Sequence, residues 1–361
     1  NSDTLKKAKI VVQRIYKAAA PRGSIEKKMS SDFGHKPYRL KIPTFRHFNT
    51  LFQKFKIEDH EKQFGESRIC RFKRFSEWVS TQPSQLVYNS DVRTIDIFQV
   101  DAFTKSIFKG NPAAVCPVND WPSDELMQWI ATENNVSETA FVLLDSNPLE
   151  IRWFSPTVEV DLCGHATLAT ARILFDEYLH TTEKTIIFQY KGGVIRASLE
   201  GELVYLDFPC DEPVSEKNIS ILNNVLEDKP DALYKGKDDY LAIYRNANLV
   251  LKANPSFSNL KKLNARGLII SAPGLDTDII SRCFYPRIGV DEDPVTGSAH
   301  TLLTPYWSKR LEKCKLTAHQ ASARGGYLEC ERKGDRIIVG GYTARYSSGK
   351  LHLPEAESDI N

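Results

Sequence analysis

The chain has 361 residues, 41% of them apolar and 26% charged, with a mean hydropathy of −0.37. That is the composition of a soluble globular protein of two to three domains. The best apolar run, Ala140 to Leu144, falls far short of the ~18 residues of a spanning helix, which excludes an integral membrane protein. Gly and Pro are too few, at 19 and 18, for a collagen-like or low-complexity chain.

The formal net charge of +2 hides an asymmetry. Residues 1–93 hold 20 Lys and Arg against 9 Asp and Glu, whereas residues 94–361 hold 28 against 37. A basic arm of charge +11 therefore precedes an acidic body of −9. Such an arm suits contact with nucleic acid or an anionic surface, although charge runs are more often solvated tails. Seven cysteines are scattered without a Cys-x-x-Cys pair, as expected of a reducing, cytoplasmic setting, and offer no thiolate zinc site. The start, with Lys6, Lys7 and Lys9, lacks the apolar core of a secretory signal. Its basic, acid-poor character also suits an organellar transit peptide.

In chain order, residues 1–93 read as a partly disordered or helical extension, with Phe48, Leu51, Phe52 and Phe55 at helical spacing. A strand is predicted over 95–103, followed by turn chemistry at Gly110-Asn111-Pro112. Ser123 caps a predicted helix with Asp124 and Glu125 in its first turn, and Asn134-Asn135 stops it. Strands follow over 136–144 and 152–154, then a helix from Gly164 to about Phe175. Residues 185–190 and 194–199 form a predicted hairpin, and 203–208 another strand. The second half repeats the style, with strands at 240–244, 249–252, 268–271 and 282–285 and a helix over 297–311 that Pro305 should kink or shorten. A hairpin over 326–331 and 336–339 closes it. Asp161-x-x-Gly164-His165-Ala166 echoes Asp293-x-x-x-Gly297-Ser298-Ala299, the mark of an internal duplication.

No phosphate loop, dinucleotide fingerprint, nucleophile elbow or His-Glu-x-x-His motif is present, so no metal or cofactor is expected. Alternation over 136–144 puts Glu138 on the face of Ala140 and Val142. A carboxylate on an apolar face is desolvated and suited to general acid–base work, unless that face meets solvent or an arginine. Gly164 and Gly297 each open a helix, where backbone N–H groups and the dipole attract anions. Each is also simply a glycine at a helix start. His165 is either a proton partner or a satisfied core residue, and Asp293 either functional or a cap.

Five runs resemble the PhzF family of phenazine-biosynthesis-like isomerases: Asp101–Thr104, Gly110–Ala113, Glu133–Phe141, Asp161–Thr167 and Glu292–His300. Gln320-x-Ser322-x-Arg324-Gly325-Gly326 agrees in order and spacing, and the likeness covers about 94–344. It implies an α+β, diaminopimelate epimerase-like fold: two pseudo-repeated domains, each a mostly antiparallel sheet around a central helix. It implies a cofactor-independent isomerase with Glu138 as acid/base, Gly164 and His165 at one helix end, and Asp293, Gly297 and Ser298 at the other. The related epimerases use two opposed cysteines. Here Cys163 occupies one place and Thr296 the other, so a two-thiol racemase is not expected and Cys163 reads as a packed core residue.

The expected layout is a basic extension (1–93), two PhzF-like domains (94–212 and 213–345) and a C-terminal tail (346–361). The catalytic set is Glu138, His165 and Asp293, with Gly164, Gly297 and Ser298 binding a small carboxylate-bearing substrate. A homodimer is the default assembly. The rival readings are a non-catalytic protein-binding member of the fold, and an RNA or anionic-surface binder acting through the arm.

Overall fold

Apolar alternation and capping set the first half of the computed structural model, which describes residues 93–179 and 184–353. The expectations for residues 1–92 lie outside the described residues. Strands β1 (Arg93–Ala102) and β2 (Asn111–Val118) pair antiparallel. The loop between them ends at Gly110, with φ of 63°; a Cβ there would lie 2.1 Å from the Ala102 carbonyl oxygen, so only glycine fits. Helix α1 (Asp124–Asn134) starts where the sequence predicts, the Ser123 hydroxyl accepting the Leu126 N–H at 3.1 Å. Asn135 closes it in the left-handed region at φ 47°. Its Leu126, Met127 and Ile130 pack with Phe141 and Phe154 in a core on the outer side of the sheet.

Strands β3 (Glu138–Leu143), β4 (Leu149–Phe154) and β5 (Glu159–Val160) lead to α2 (Gly164–Ile173), which runs on into a π turn, Leu174–Tyr178. Strands β6 (Thr185–Tyr190), β7 (Gly193–Glu200) and β8 (Leu203–Pro209) complete this half. Helix α2 is buried almost all round, which explains its run of Gly, Ala and Thr. Its hydroxyls are satisfied within the helix: Thr167 donates to the Cys163 carbonyl at 2.6 Å and Thr170 to that of Ala166 at 2.7 Å.

The second half has β9 (Val214–Ser215), β10 (Ala232–Lys235), β11 (Asp239–Ile243), α3 (Ala247–Lys252), α4 (Phe257–Leu260), β12 (Gly267–Pro273), β13 (Ile279–Tyr285) and β14 (Val290–Asp293). Then come α5 (His300–Leu311), β15 (Lys315–Gln320), β16 (Gly326–Lys333), β17 (Arg336–Gly341) and β18 (Thr343–Leu353).

The duplication is visible in the ladders. In the order β1-β2-β3-β4-β6-β7-β8 the pairings run antiparallel, parallel, antiparallel, parallel, antiparallel, antiparallel. The order β10-β11-β12-β13-β15-β16-β17 repeats that pattern step for step. Helices α2 and α5 occupy the same place in each. Antiparallel pairing of β8 with β17 joins the halves, and a single core containing Leu168, Phe208, Leu303 and Trp307 runs through both.

Three expectations change. Pro305 neither ends nor shortens α5, because the Thr301 carbonyl it leaves without a helical donor accepts the Asp211 N–H at 3.2 Å. The 249–252 run is helical in α3, not a strand: the Asn246 side chain caps the Leu249 N–H at 3.3 Å, and Arg282 takes the Val250 and Ala253 carbonyls. Residues 346–353 are not a tail but most of β18, paired with β1 from Arg93↔Leu353 to Ala102↔Thr343. Ending the chain after Arg345 removes the partner of 93–99. Its thermal midpoint by circular dichroism should fall by at least about 5 °C, since roughly 2–4 °C is lost per kcal/mol in a domain of this size; a dispensable tail would leave it unchanged.

Candidate active site

The N-terminus of α2 touches the turn at residues 297–299 that leads into α5, which begins at His300 and not at the expected Gly297. A Cβ built on Gly164 would lie 3.6 Å from the Gly297 Cα and 3.7 Å from the Ser298 nitrogen, and one on Gly297 would lie 3.7 Å from the Gly164 Cα. With no side chain on either glycine, the two backbones lie close together. The tips therefore leave no room for an anion between the two glycines, and a ligand would lie across both ends instead. Phe103 supports the junction from below. Its backbone is left-handed at φ 63°, and its ring comes within 3.3 Å of the Gly297 Cβ position.

Glu138, His165 and Asp293 gather at this junction. Glu138 is the first residue of β3, with Ala140 and Val142 of the same face in the shared core, as the alternation predicts. Its Oε2 lies 3.1 Å from Nε2 of His165, in the first turn of α2. The approach is off the N–H axis, so both atoms are buried without a hydrogen bond among the described residues. Hydrogen bonds of this kind often tighten only when substrate is bound.

Asn111 links His165 to Asp293. Its Nδ2 donates to Asp293 Oδ1 and to the Val295 carbonyl, both at 2.9 Å, and lies 3.2 Å from Nδ1 of His165. In the sequence Asn111 reads as turn chemistry, and only the fold brings it to Asp293. Cys163 is buried as expected, but it is more than packing: its Sγ is 3.5 Å from His165 Nδ1. Asp161 stays exposed outside the site.

The second half fixes Asp293. Its Oδ2 accepts a hydrogen bond from the Thr296 hydroxyl. Gln320 receives the Thr296 N–H at 2.8 Å and donates to the Asp293 carbonyl at 2.9 Å. Arg324 crosses between the halves, donating to the Gly110 carbonyl and pairing with buried Asp101 at 2.7 Å.

Burial pushes the Asp293 carboxyl up to about 6; nearby His165 opposes that rise and Glu138 adds to it. Burial disfavours charge on the His165 ring, yet the Glu138 carboxylate facing Nε2 favours it, and the ring's proton affinity lies above the ordinary imidazole range. Burial, and then the Glu138 charge, push the Cys163 thiol up to about 11. His300, buried in the first turn of α5, is driven down to about 4 by desolvation, its Nδ1 held 2.9 Å from the Thr296 carbonyl. Glu138, Cys163 and His165 bring three donor atoms within 4.8 Å of one another. The two ring nitrogens, however, address different neighbours, so the three groups form a chain through the imidazole and not a chelating set.

Comparison with known proteins agrees with this architecture. A family model described as phenazine biosynthesis-like protein, PhzC-PhzF, matches residues 100–349. A Pseudomonas aeruginosa protein named as an uncharacterized isomerase is 46% identical over 259 residues, covering 72% of this chain and 99% of its own. The mouse phenazine biosynthesis-like domain-containing protein 2 is 37% identical, over 71% of this chain and 99% of its own. The crystal structure of a PhzF-family protein from Enterococcus faecalis superposes with a TM-score of 0.70 at 42% identity, covering 72% of this chain and all of that one. A more distant Pseudomonas aeruginosa structure, described as a predicted epimerase, shares the fold at a TM-score of 0.57 and 19% identity. The fold is thus the α+β, diaminopimelate epimerase-like one, and with relatives named as isomerases the chain is an isomerase. With a family match across both repeats and the glycine-opened helix ends they bring together, the chain belongs to the PhzF family of phenazine biosynthesis-like proteins.

Proposed function

We propose that the protein shifts a proton within a small carboxylate-bearing metabolite, with Glu138 as the acid/base and no step that needs a cofactor. The observation that carries this reading is the placing of Glu138 Oε2 3.1 Å from His165 Nε2, beside two abutting helix N-termini. The helix ends, at Gly164 on one side and Gly297 and Ser298 on the other, would take the substrate carboxylate. Glu138 would remove a proton from a carbon next to a conjugated or carbonyl system. The electron pair left behind would spread toward the carboxylate, where the helix ends stabilise developing charge. Returning the proton to another carbon of the same system balances the reaction. His165 would exchange a proton with Glu138, and Asp293, poised at about 6, would orient the substrate or relay the proton. Phenazine synthesis itself does not follow from this chemistry.

A panel of small unsaturated and hydroxy carboxylic acids, screened by thermal shift, should contain members that raise the melting point. Incubated in D2O with the protein and followed by proton NMR, a substrate among them should isomerise or exchange a carbon-bound proton. Glu138→Gln should melt within about 2 °C of wild type and lose at least about 10²-fold in that rate. An unchanged rate in this variant rules out the acid/base assignment.

Gly164→Ala places a methyl group 3.7 Å from the Ser298 nitrogen, in ordinary contact with its neighbours. The variant should fold and yet lose the melting-point rise given by carboxylates. A rise equal to wild type would place the anion elsewhere.

Because burial raises the Asp293 carboxyl to about 6, lowering the pH from 7 to 5 neutralises a negative charge beside the helix ends. Carboxylate affinity, measured by calorimetry, should increase several-fold over that window. Asp293→Asn should abolish the increase.

A further inference from the structure

The imidazole of His165 has two nitrogens, and only one of them can serve Glu138. Nε2 is turned to Glu138 Oε2 at 3.1 Å. Nδ1 faces inward, 3.5 Å from Cys163 Sγ and 3.2 Å from Asn111 Nδ2. The two amide protons of Asn111 have acceptors already, Asp293 Oδ1 and the Val295 carbonyl, both at 2.9 Å. Its amide nitrogen can neither accept from the ring nor spare a proton for it. Among the described residues, the sulfur is therefore the hydrogen-bonding partner within reach of Nδ1, and 3.5 Å is an ordinary distance for a bond to sulfur.

We propose that Cys163 is a positioning residue: its sulfur holds the Nδ1–H of His165, so that the proton free to move is the one on Nε2, facing Glu138. The proposal rests on the acid/base reading of Glu138. Passing the Nε2 proton to Glu138 leaves a neutral ring whose remaining proton is still held on Nδ1 by sulfur, and the return step restores the starting state. Atoms and charge balance, and sulfur is neither oxidised nor alkylated. The location of Cys163 at the N-cap of α2 makes this possible, because the residue two places on, in the helix's first turn, turns its ring back over the cap. The charged or titratable groups facing the ring are Glu138 from β3, Cys163 from the α2 cap and Asp293 from β14. Burial keeps the thiol protonated through the neutral range, so it acts as a fixed partner and not as a base.

The test uses the full chain labelled with 15N-histidine, with the His165 ring signals identified by their loss in His165→Gln. In wild type the ring should titrate well above the midpoint of a free imidazole and, once neutral, carry its proton on Nδ1. Cys163→Ala removes one hydrogen bond, so the midpoint should fall by about 0.7 pH units and the neutral ring should gain the Nε2–H form. Cys163→Ser, which keeps a polar atom at the same place, should restore the wild-type pattern to within about 0.3. Ring signals in Cys163→Ala that match wild type, with both variants folded by circular dichroism, would reduce Cys163 to packing and overturn the proposal. Loss of the wild-type pattern in Cys163→Ser as well would do the same. These spectra are independent of turnover, so they can fail while the Glu138 reading stands. An active Glu138→Gln defeats the reading whatever the ring shows.

Discussion

Two helix N-termini pressed together are electrostatically unfavourable, and the rest of the site follows from how that is offset. Each end carries about half a positive charge. At a separation of about 4 Å and an effective dielectric near 20, their repulsion is on the order of 1 kcal/mol. Gly164 and Gly297 carry no side chains there, and the two backbones approach closely. Negative charge beside the junction relieves the repulsion. Glu138 and Asp293 supply some from β3 and β14, and an anionic guest would supply more. The same contact that packs α2 against α5 thus favours a carboxylate at that point.

Duplication explains how the two ends come to meet, and divergence explains why the site is not symmetric. The ladders of both halves repeat one pattern, so each central helix emerges at the same place in its own half. The side chains around the junction differ. The first half contributes Glu138, Cys163, His165 and Asn111, and the second contributes Asp293, Thr296 and Gln320. Asn111 ties the two sets together, and its own place is set by contacts from the other half. The Gly110 N–H donates to the Gly325 carbonyl at 2.8 Å, and the Arg324 side chain holds the Gly110 carbonyl. Desolvation raises the Asp101 carboxyl, and the Phe108 N–H and Arg324 act against that rise, so the charge under the loop is paired where it is buried.

Features set by local physics were legible in the sequence. The Ser123 cap, the Asn135 stop and the alternation that turns Glu138 inward each depend on a few neighbouring residues, and each reads directly from the letters. The first central helix was legible from its glycine-led start, and the second, which begins three residues after Gly297, from the faint Asp-to-Gly echo. Contacts between distant parts of the chain were not. Nothing adjacent to Asn111 says that it reaches Asp293, and nothing near Cys163 says that its sulfur meets a ring nitrogen two residues on. The 249–252 run was misread because a short apolar stretch satisfies strand and helix equally, and the Asn246 cap with the distant Arg282 decides between them. The exposed residues of β18 look like a tail because the strand is held by its ladder to β1 and hardly at all by burial.

The pairing of Cys163 with Thr296 bears on which proton chemistry the junction supports. Racemisation by two opposed groups needs a base on each side of one carbon. On one side the thiol is held near 11, so little thiolate exists at neutral pH. On the other, the Thr296 hydroxyl is committed to Asp293 Oδ2 and lies 3.2 Å from the Gln320 amide, and a hydroxyl is in any case a weak base. In the proposed reading proton exchange falls to Glu138 and His165, while Asn111 holds Asp293 in place by donating to its Oδ1. A single acid/base that takes a proton from one carbon and returns it to another needs no second base across the substrate. That is the proton shift along a conjugated carboxylate that we propose.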